Sequence, residues 1–164
     1  MKIGIVSDSH GSMGAVEAML AHPAAKGVAV WLHAGDFAPD ADALARLAGV
    51  PVYCVAGNGD WPSPRVKDEE LVALAGHRIL LAHGHTYGVQ YGRERFAKAA
   101  RQAGADIAVY GHTHCAENCM MDGVLVLNPG SVARPRDAME GSFMTMELTE
   151  GNAPGVQLIR FEPR

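Results

Sequence analysis

Three short apolar runs near the start of the chain restrict the fold more than any other feature. Lys2 to Ser7, Val28 to Ala34 and Val50 to Ala56 are rich in β-branched or aromatic residues and read as buried strands. Between them, Met13 to His22 and Ala41 to Ala48 are rich in Ala, Leu and Met and long enough for helices, with Ser12 and Asp40 placed as N-caps. Strand, helix, strand, helix, strand is the pattern of a parallel sheet with right-handed crossovers.

The second half changes character. Leu71 to Leu74 and Ile79 to Ala82 read as a hairpin turning at Ala75-Gly76-His77-Arg78. Arg93 to Gln102 reads as a helix closed by Gly104. Ile107 to Tyr110, Val124 to Leu127, Phe143 to Leu148 and Val156 to Phe161 read as strands, the last three with no helix between them. The expectation is a mixed sheet, or two sheets face to face, with helices outside. No repeat, low-complexity tract or long linker divides the 164 residues, so residues 1–164 are expected to form a single domain with a sizeable core.

Each of five predicted strands ends in a polar residue able to bind a metal. These endings are Asp8-Ser9-His10, Gly35-Asp36, Gly57-Asn58-Gly59-Asp60, His83-Gly84-His85 and Gly111-His112-Thr113-His114. A lone Asp after a strand is more often a turn or helix cap, and a lone His-x-His is usually coincidence. Five such endings are hard to explain by caps. In open α/β sheets the crevice forms at the carboxyl ends of strands, so all five can converge on one place. Imidazole and carboxylate donors without cysteine favour Mn, Fe, Co, Ni or Zn. Asp8, His10, Asp36, Asn58, His83, His112 and His114 are too many for one ion and suit two ions bridged by a carboxylate.

Asp8-x-His10, Gly35-Asp36, Gly57-Asn58, His83 and Gly111-His112-x-His114, in that order, resemble the signature of calcineurin-like metallophosphoesterases. The compact size, His83-Gly84-His85 and Asn128-Pro129-Gly130-Ser131 are similar to the small prokaryotic YfcE-type phosphodiesterase branch. The resemblance implies a four-layer α/β/β/α sandwich of two mixed β-sheets flanked by helices. It implies a first metal held by Asp8, His10 and His114, a second by Asn58, His83 and His112, and Asp36 bridging them. Two divalent ions are implied, manganese first, with Fe, Ni, Co or Zn as alternatives. The implied activity is hydrolysis of small phosphodiesters by a hydroxide activated between the metals. The contrasting possibility is a non-catalytic metal-binding interaction module of the same fold, as in the retromer scaffold; filled ligand positions favour the enzyme.

One position departs from the family pattern. The residue after the metal-binding Asn is often a His that assists the leaving group, and here it is Gly59. Asp60 and His85 are the nearest candidate proton donors, with a loop cap and a supporting hydrogen bond as their plainer readings. His85 is therefore grouped with Asp36 and Asn58 as a candidate catalytic residue. Arg134-Pro135-Arg136 reads either as a solvated basic loop or as a phosphate contact, since guanidinium matches phosphate oxygens bidentately. Cys54, Cys115 and Cys119 read as free thiols, and His22, His33 and His77 as structural.

Composition narrows the partners. Fourteen Lys plus Arg against eighteen Asp plus Glu gives a net charge of −4, which disfavours long nucleic acids. No apolar run approaches the ~18 residues of a bilayer span, and Met1 to Asp8 turns polar too soon for a signal-peptide core. A membrane partner is not expected, and cytoplasmic residence is, with homo-oligomerisation left open.

Overall fold

The computed structural model describes residues 1–162. The first half runs β1 (Lys2–Val6), α1 (Met13–Ala21), β2 (Val30–His33), α2 (Pro39–Ala48), β3 (Val52–Cys54), β4 (Glu69–Leu74) and β5 (His77–Ala82). It continues through α3 (Glu94–Gln102), β6 (Ile107–Val109), β7 (Ala116–Met121), β8 (Val124–Pro129), β9 (Gly141–Glu147) and β10 (Gly155–Phe161). Two five-stranded sheets result, ordered β10-β9-β1-β2-β3 and β4-β5-β6-β8-β7. In the first, β1, β2 and β3 are parallel, β9 runs antiparallel to β1, and β10 runs antiparallel to β9. In the second, β5, β6 and β8 are parallel, flanked by antiparallel β4 and β7.

Period-two alternation sorts the side chains into layers. Ile3, Ile5, Leu32, Ile79, Leu81, Ile107, Val109 and Met144 fill the space between the sheets. Each fully buried Ile or Leu contributes about 1.5–3 kcal/mol there. Outward-facing Val6, Trp31 and Phe143 pack under Ala15, Val16 and Met19 of α1 and Leu44 of α2. On the far side, Leu80, Ala108 and Tyr110 meet Phe96, Ala97 and Ala100 of α3. The order is therefore helix, sheet, sheet, helix, the expected α/β/β/α sandwich. Trp31 lies so close over β1 that a Cβ on Gly4 would meet its ring at 2.4 Å. Only glycine fits at that crossing.

Several local expectations needed correction. Asp40 does not cap α2: Pro39 starts the helix at its first position, and Asp40 lies inside it. The Asp40 carboxylate accepts instead from Gly11 N at 2.8 Å. Ser12 makes no side-chain cap bond, because its backbone (φ −82°, ψ 84°) is not the extended form that brings Oγ onto the following amides. Strand β7 was missed, although its turn is the hairpin dipeptide Asp122-Gly123, both at positive φ (50° and 79°). His77 pairs with Leu74 as the first residue of β5, leaving Ala75-Gly76 as the whole turn.

Candidate metal centre

The carboxyl ends of parallel strands from both sheets meet at one edge of the sandwich, and backbone hydrogen bonds lock their loops together. Asp8 N donates to Gly35 O at 3.0 Å, His10 N to Asp36 O at 3.0 Å, and Gly111 N to His83 O at 3.1 Å. Between the sheets, His112 N donates to Asp8 Oδ2 at 3.1 Å, and His83 Nδ1 donates to Ala34 O at 2.6 Å.

All seven candidate ligands come together. Asp8 Oδ1 is buried and accepts no hydrogen bond. Around it stand His114 Nε2 at 3.1 Å, His10 Nε2 at 3.8 Å and His83 Nε2 at 4.0 Å. Asp36 Oδ2 lies 3.5 Å from His83 Nε2 and 3.9 Å from His10 Nε2. Asn58 Oδ1 is 3.0 Å from both His83 Nε2 and His112 Nδ1. Two groups, Asp8–His10–His114 and Asp8–Asp36–His83, each have ligand atoms within 4.8 Å of one another. A buried carboxylate oxygen without a donor, facing imidazole nitrogens, suits a cation.

The imidazoles are set for that purpose. His83 and His114 donate from Nδ1 to the carbonyls of Ala34 and Arg134, both at 2.6 Å, which leaves each Nε2 lone pair facing the carboxylates. His33 is held the other way: its Nδ1 accepts from Gly35 N at 3.2 Å, so Nε2 donates to Ser9 Oγ at 3.0 Å. It buttresses two of the loops and offers no free nitrogen. Burial lowers the His10 and His112 pKa values below the ordinary imidazole value. At His83 and His114 burial acts in the same direction, but Asp36 and Asp8 outweigh it and raise both. Asp36 is desolvated too, yet His83 pulls its carboxyl well below the usual range.

Backbone strain marks the same residues. Seven non-glycine residues among those described have positive φ, and five are Asp8, His10, Asp36, His112 and His114, at 46° to 66°. Asp and His tolerate the left-handed region better than most residues, but each still costs about 1–2 kcal/mol. Ser7 Oγ donates to Asp8 Oδ2 at 2.6 Å, and Ser131 Oγ donates to Asp8 O at 2.8 Å. Asn128 Nδ2 donates to Gly111 O at 2.9 Å and to Thr113 Oγ1 at 3.0 Å. The Asn128-Pro129-Gly130-Ser131 segment thus holds two strained loops in place, a role that residue type alone did not reveal.

The two candidate proton donors separate. Asp60 accepts from Asp36 N at 3.2 Å, Ala38 N at 2.6 Å and Gly57 N at 2.8 Å. Those bonds make it a loop anchor. The His85 ring stands 5.4 Å from that of His83 and 6.1 Å from that of His112, and its Nδ1 has no partner. Burial, then the neighbouring His83, lowers its pKa. Gly59 N donates to Asp36 Oδ1 at 2.8 Å. A cavity of about 440 Å³ opens over the centre, lined by His10, Asp36, Asn58, His112 and His114 and by the Arg134-Pro135-Arg136 segment.

Comparison with known proteins agrees with this picture. Residues 1–151 match the calcineurin-like phosphoesterase superfamily domain. A probable metallophosphoesterase of Bacillus subtilis, YsnB, is 31% identical over 149 residues, covering 90% of this chain and 85% of that one. The phosphodiesterase YfcE of Escherichia coli is 29% identical, over 87% of this chain and 85% of its own. A solved Streptococcus pneumoniae protein, described as a predicted phosphoesterase, superposes with a TM-score of 0.80 at 26% identity, covering 97% of this chain and 88% of that one. Wild-type Vps29 of Entamoeba histolytica, solved with Zn²⁺, shares the fold at a TM-score of 0.76 and 23% identity, over 98% of this chain and 99% of its own.

Proposed function

Since the chain belongs to the calcineurin-like phosphoesterase superfamily, we propose that it is a metal-dependent phosphodiesterase acting on small phosphodiesters. The observation that carries the reading is the orphaned, buried Asp8 Oδ1 facing three imidazole nitrogens, in a site where every ligand position is filled. Asp8, His10 and His114 would hold one divalent ion, Asn58, His83 and His112 a second, with Asp36 shared. When bound, such a pair supplies Lewis acidity toward a phosphoryl oxygen and lowers the pKa of water toward neutrality. Manganese is the first candidate, with Fe, Co, Ni or Zn as alternatives for the same donor set.

The chain's own groups do the positioning. Carbonyls of Ala34 and Arg134 fix the tautomers of His83 and His114. Gly59 N occupies Asp36 Oδ1 and leaves Oδ2 facing the imidazoles. His85 stands beside the centre with no ligand role in this reading, and unlike His33 it has a ring nitrogen without a partner. Its lowered pKa keeps it mostly neutral at pH 7, which makes it a weak proton donor. Cleavage is therefore expected to favour esters whose leaving group needs little protonation. No helix among the described residues is long and apolar enough to cross a membrane, which fits a proposed cytoplasmic enzyme of one domain.

Metal binding alone does not decide the matter, because the Entamoeba Vps29 named above was solved with zinc. Turnover does. Metal-stripped protein should be reconstituted with each candidate ion and assayed on bis(p-nitrophenyl) phosphate and p-nitrophenyl phosphate. Faster hydrolysis of the diester with at least one ion is expected. Metal uptake without turnover on either ester would instead favour an interaction module.

A further inference from the structure

We propose that Arg134 and Arg136 form an anion subsite for a second phosphate of the substrate, one that is not cleaved. The inference rests on the phosphodiesterase reading and names the substrate class more closely. Both arginines line the same cavity as the candidate ligands. Their segment is registered directly on one of those ligands: His114 Nδ1 donates to Arg134 O at 2.6 Å, and Arg136 N donates to His114 O at 3.0 Å. Arg134 N donates to Ser131 Oγ at 2.8 Å, and the same hydroxyl donates to Asp8 O at 2.8 Å. Pro135 fixes the backbone between them. The two guanidinium groups thus stand on a scaffold built from the metal loops themselves.

Neither is neutralised by the protein. Among the described residues, no carboxylate lies within ion-pair distance of Arg134 or Arg136. The adjacent acid, Asp137, is already engaged: Arg160 donates to its two oxygens at 3.0 and 2.7 Å, and Ala116 N to one of them at 2.7 Å. Two uncompensated cations therefore share a cleft in a chain whose net charge is −4.

Charge balance says what they are for. Two divalent ions would be half neutralised by Asp8 and Asp36, and all other candidate ligands are neutral. The attacking hydroxide and a singly charged diester would cancel the rest. The two guanidinium groups then remain without a carboxylate partner at the cavity, and a terminal phosphate, carrying about −1.5 to −2 near pH 7, would supply one. Guanidinium also pairs with phosphate oxygens bidentately. The cavity volume, about 440 Å³, is that of a pocket for a whole small molecule rather than one phosphoryl group.

The test compares two probes that differ by one phosphate: the p-nitrophenyl ester of thymidine 5′-phosphate, with and without a 3′-phosphate. The wild-type protein, loaded with the ion that supports turnover, should prefer the 3′-phosphorylated probe about tenfold or more in kcat/KM, mainly through KM. In the Arg134→Ala/Arg136→Ala variant that ratio should fall to about one. Only backbone atoms of the two residues hold His114, so metal content should match the wild type. A second readout is calorimetric binding of the two products, thymidine 3′,5′-bisphosphate and thymidine 5′-phosphate, to the metal-loaded proteins. The wild type should prefer the bisphosphate and the variant should not. No preference in the wild type, or equal losses on both probes in the variant, would overturn the subsite; equal losses would place the arginines on the scissile phosphate. Failure to hydrolyse either probe would count against the phosphodiesterase reading, and the binding comparison would still decide the subsite.

Discussion

Gly57→Ala isolates the geometry of the shared carboxylate. A Cβ on Gly57 would lie 2.0 Å from Asp36 Oδ1, 2.6 Å from Asp36 N and 2.8 Å from Asp36 Cγ. Ordinary contact begins at 3.4 Å, so Oδ1 must retreat by about 1.4 Å. The carboxylate is rigid and its Cγ is crowded as well, so Oδ2 moves with Oδ1; metal–ligand distances hold within about 0.2 Å, and a shift of that size removes Asp36 from a shared position. The backbone cannot absorb it cheaply, because Asp36 N donates to Asp60 Oδ2 at 3.2 Å and Gly57 N donates to the same oxygen at 2.8 Å. Gly57 is not in the left-handed region, so alanine adds no backbone strain and the effect is steric. Gly59 provides the control, since its Cβ would meet the same Asp36 Oδ1 at 3.1 Å and require about 0.3 Å of adjustment.

The expected outcome for Gly57→Ala is loss of the second ion, metal affinity down about 10- to 100-fold, and a stability cost of about 1–3 kcal/mol. For a chain of this size that lowers Tm by roughly 2–4 °C per kcal/mol. Gly59→Ala should keep two ions and stay within about 0.5 kcal/mol of the wild type. Elemental analysis after metal loading and thermal unfolding with and without metal read both quantities. Two tightly held ions in Gly57→Ala, or an equal fall in Gly59→Ala, would show that the Asp36 carboxylate does not occupy the position assigned to it.

Asp36→Asn retains the shape but removes the bridging charge; the fold should persist while two-ion occupancy and most turnover are lost, by about 100-fold or more, as metal analysis and diester kinetics would show. His85→Ala should slow alkyl phosphodiesters selectively, by less than the ~10²-fold of an effective general acid because His85 is a weak donor, and leave activated aryl esters nearly unchanged; equal losses on both would assign His85 to supporting the centre. His77 is clamped between Asp106 Oδ2 at 2.6 Å and Thr149 O at 3.2 Å, and the Asp106 contact raises its pKa. Its contribution to stability is thus complete below the unfolded value of about 6.5 and is lost as pH rises through the folded value. Denaturant unfolding between pH 6 and 9 should show that decline, and His77→Gln should flatten it.

What could be read before the fold was known depended on where specificity resides. Strand positions were legible because burial between two layers demands apolar alternation, as at Ile3 and Ile5. β7 escaped because one face is exposed and its Ala-Glu-Asn-Cys-Met-Met run shows little apolar alternation. The seven candidate ligands were legible because their side-chain chemistry is unusual at strand ends, but residue type carries no record of left-handed backbone at five of them. Partners that do not resemble metal ligands hold these loops: Ser131 bonds Asp8 O, Asn128 bonds Gly111 O beside His112, Ser7 bonds the Asp8 carboxylate, and the Arg134 carbonyl bonds His114. The Arg134 carbonyl sets the tautomer of His114 while its side chain lines the cavity, so one residue ties metal geometry to substrate charge. Strain of about 1–2 kcal/mol per loop residue is sustained only while such partners hold. Weakening the Asn128-Pro129-Gly130-Ser131 segment should therefore loosen metal binding and the arginine pair together, whereas changes confined to the guanidinium groups should leave the metals in place.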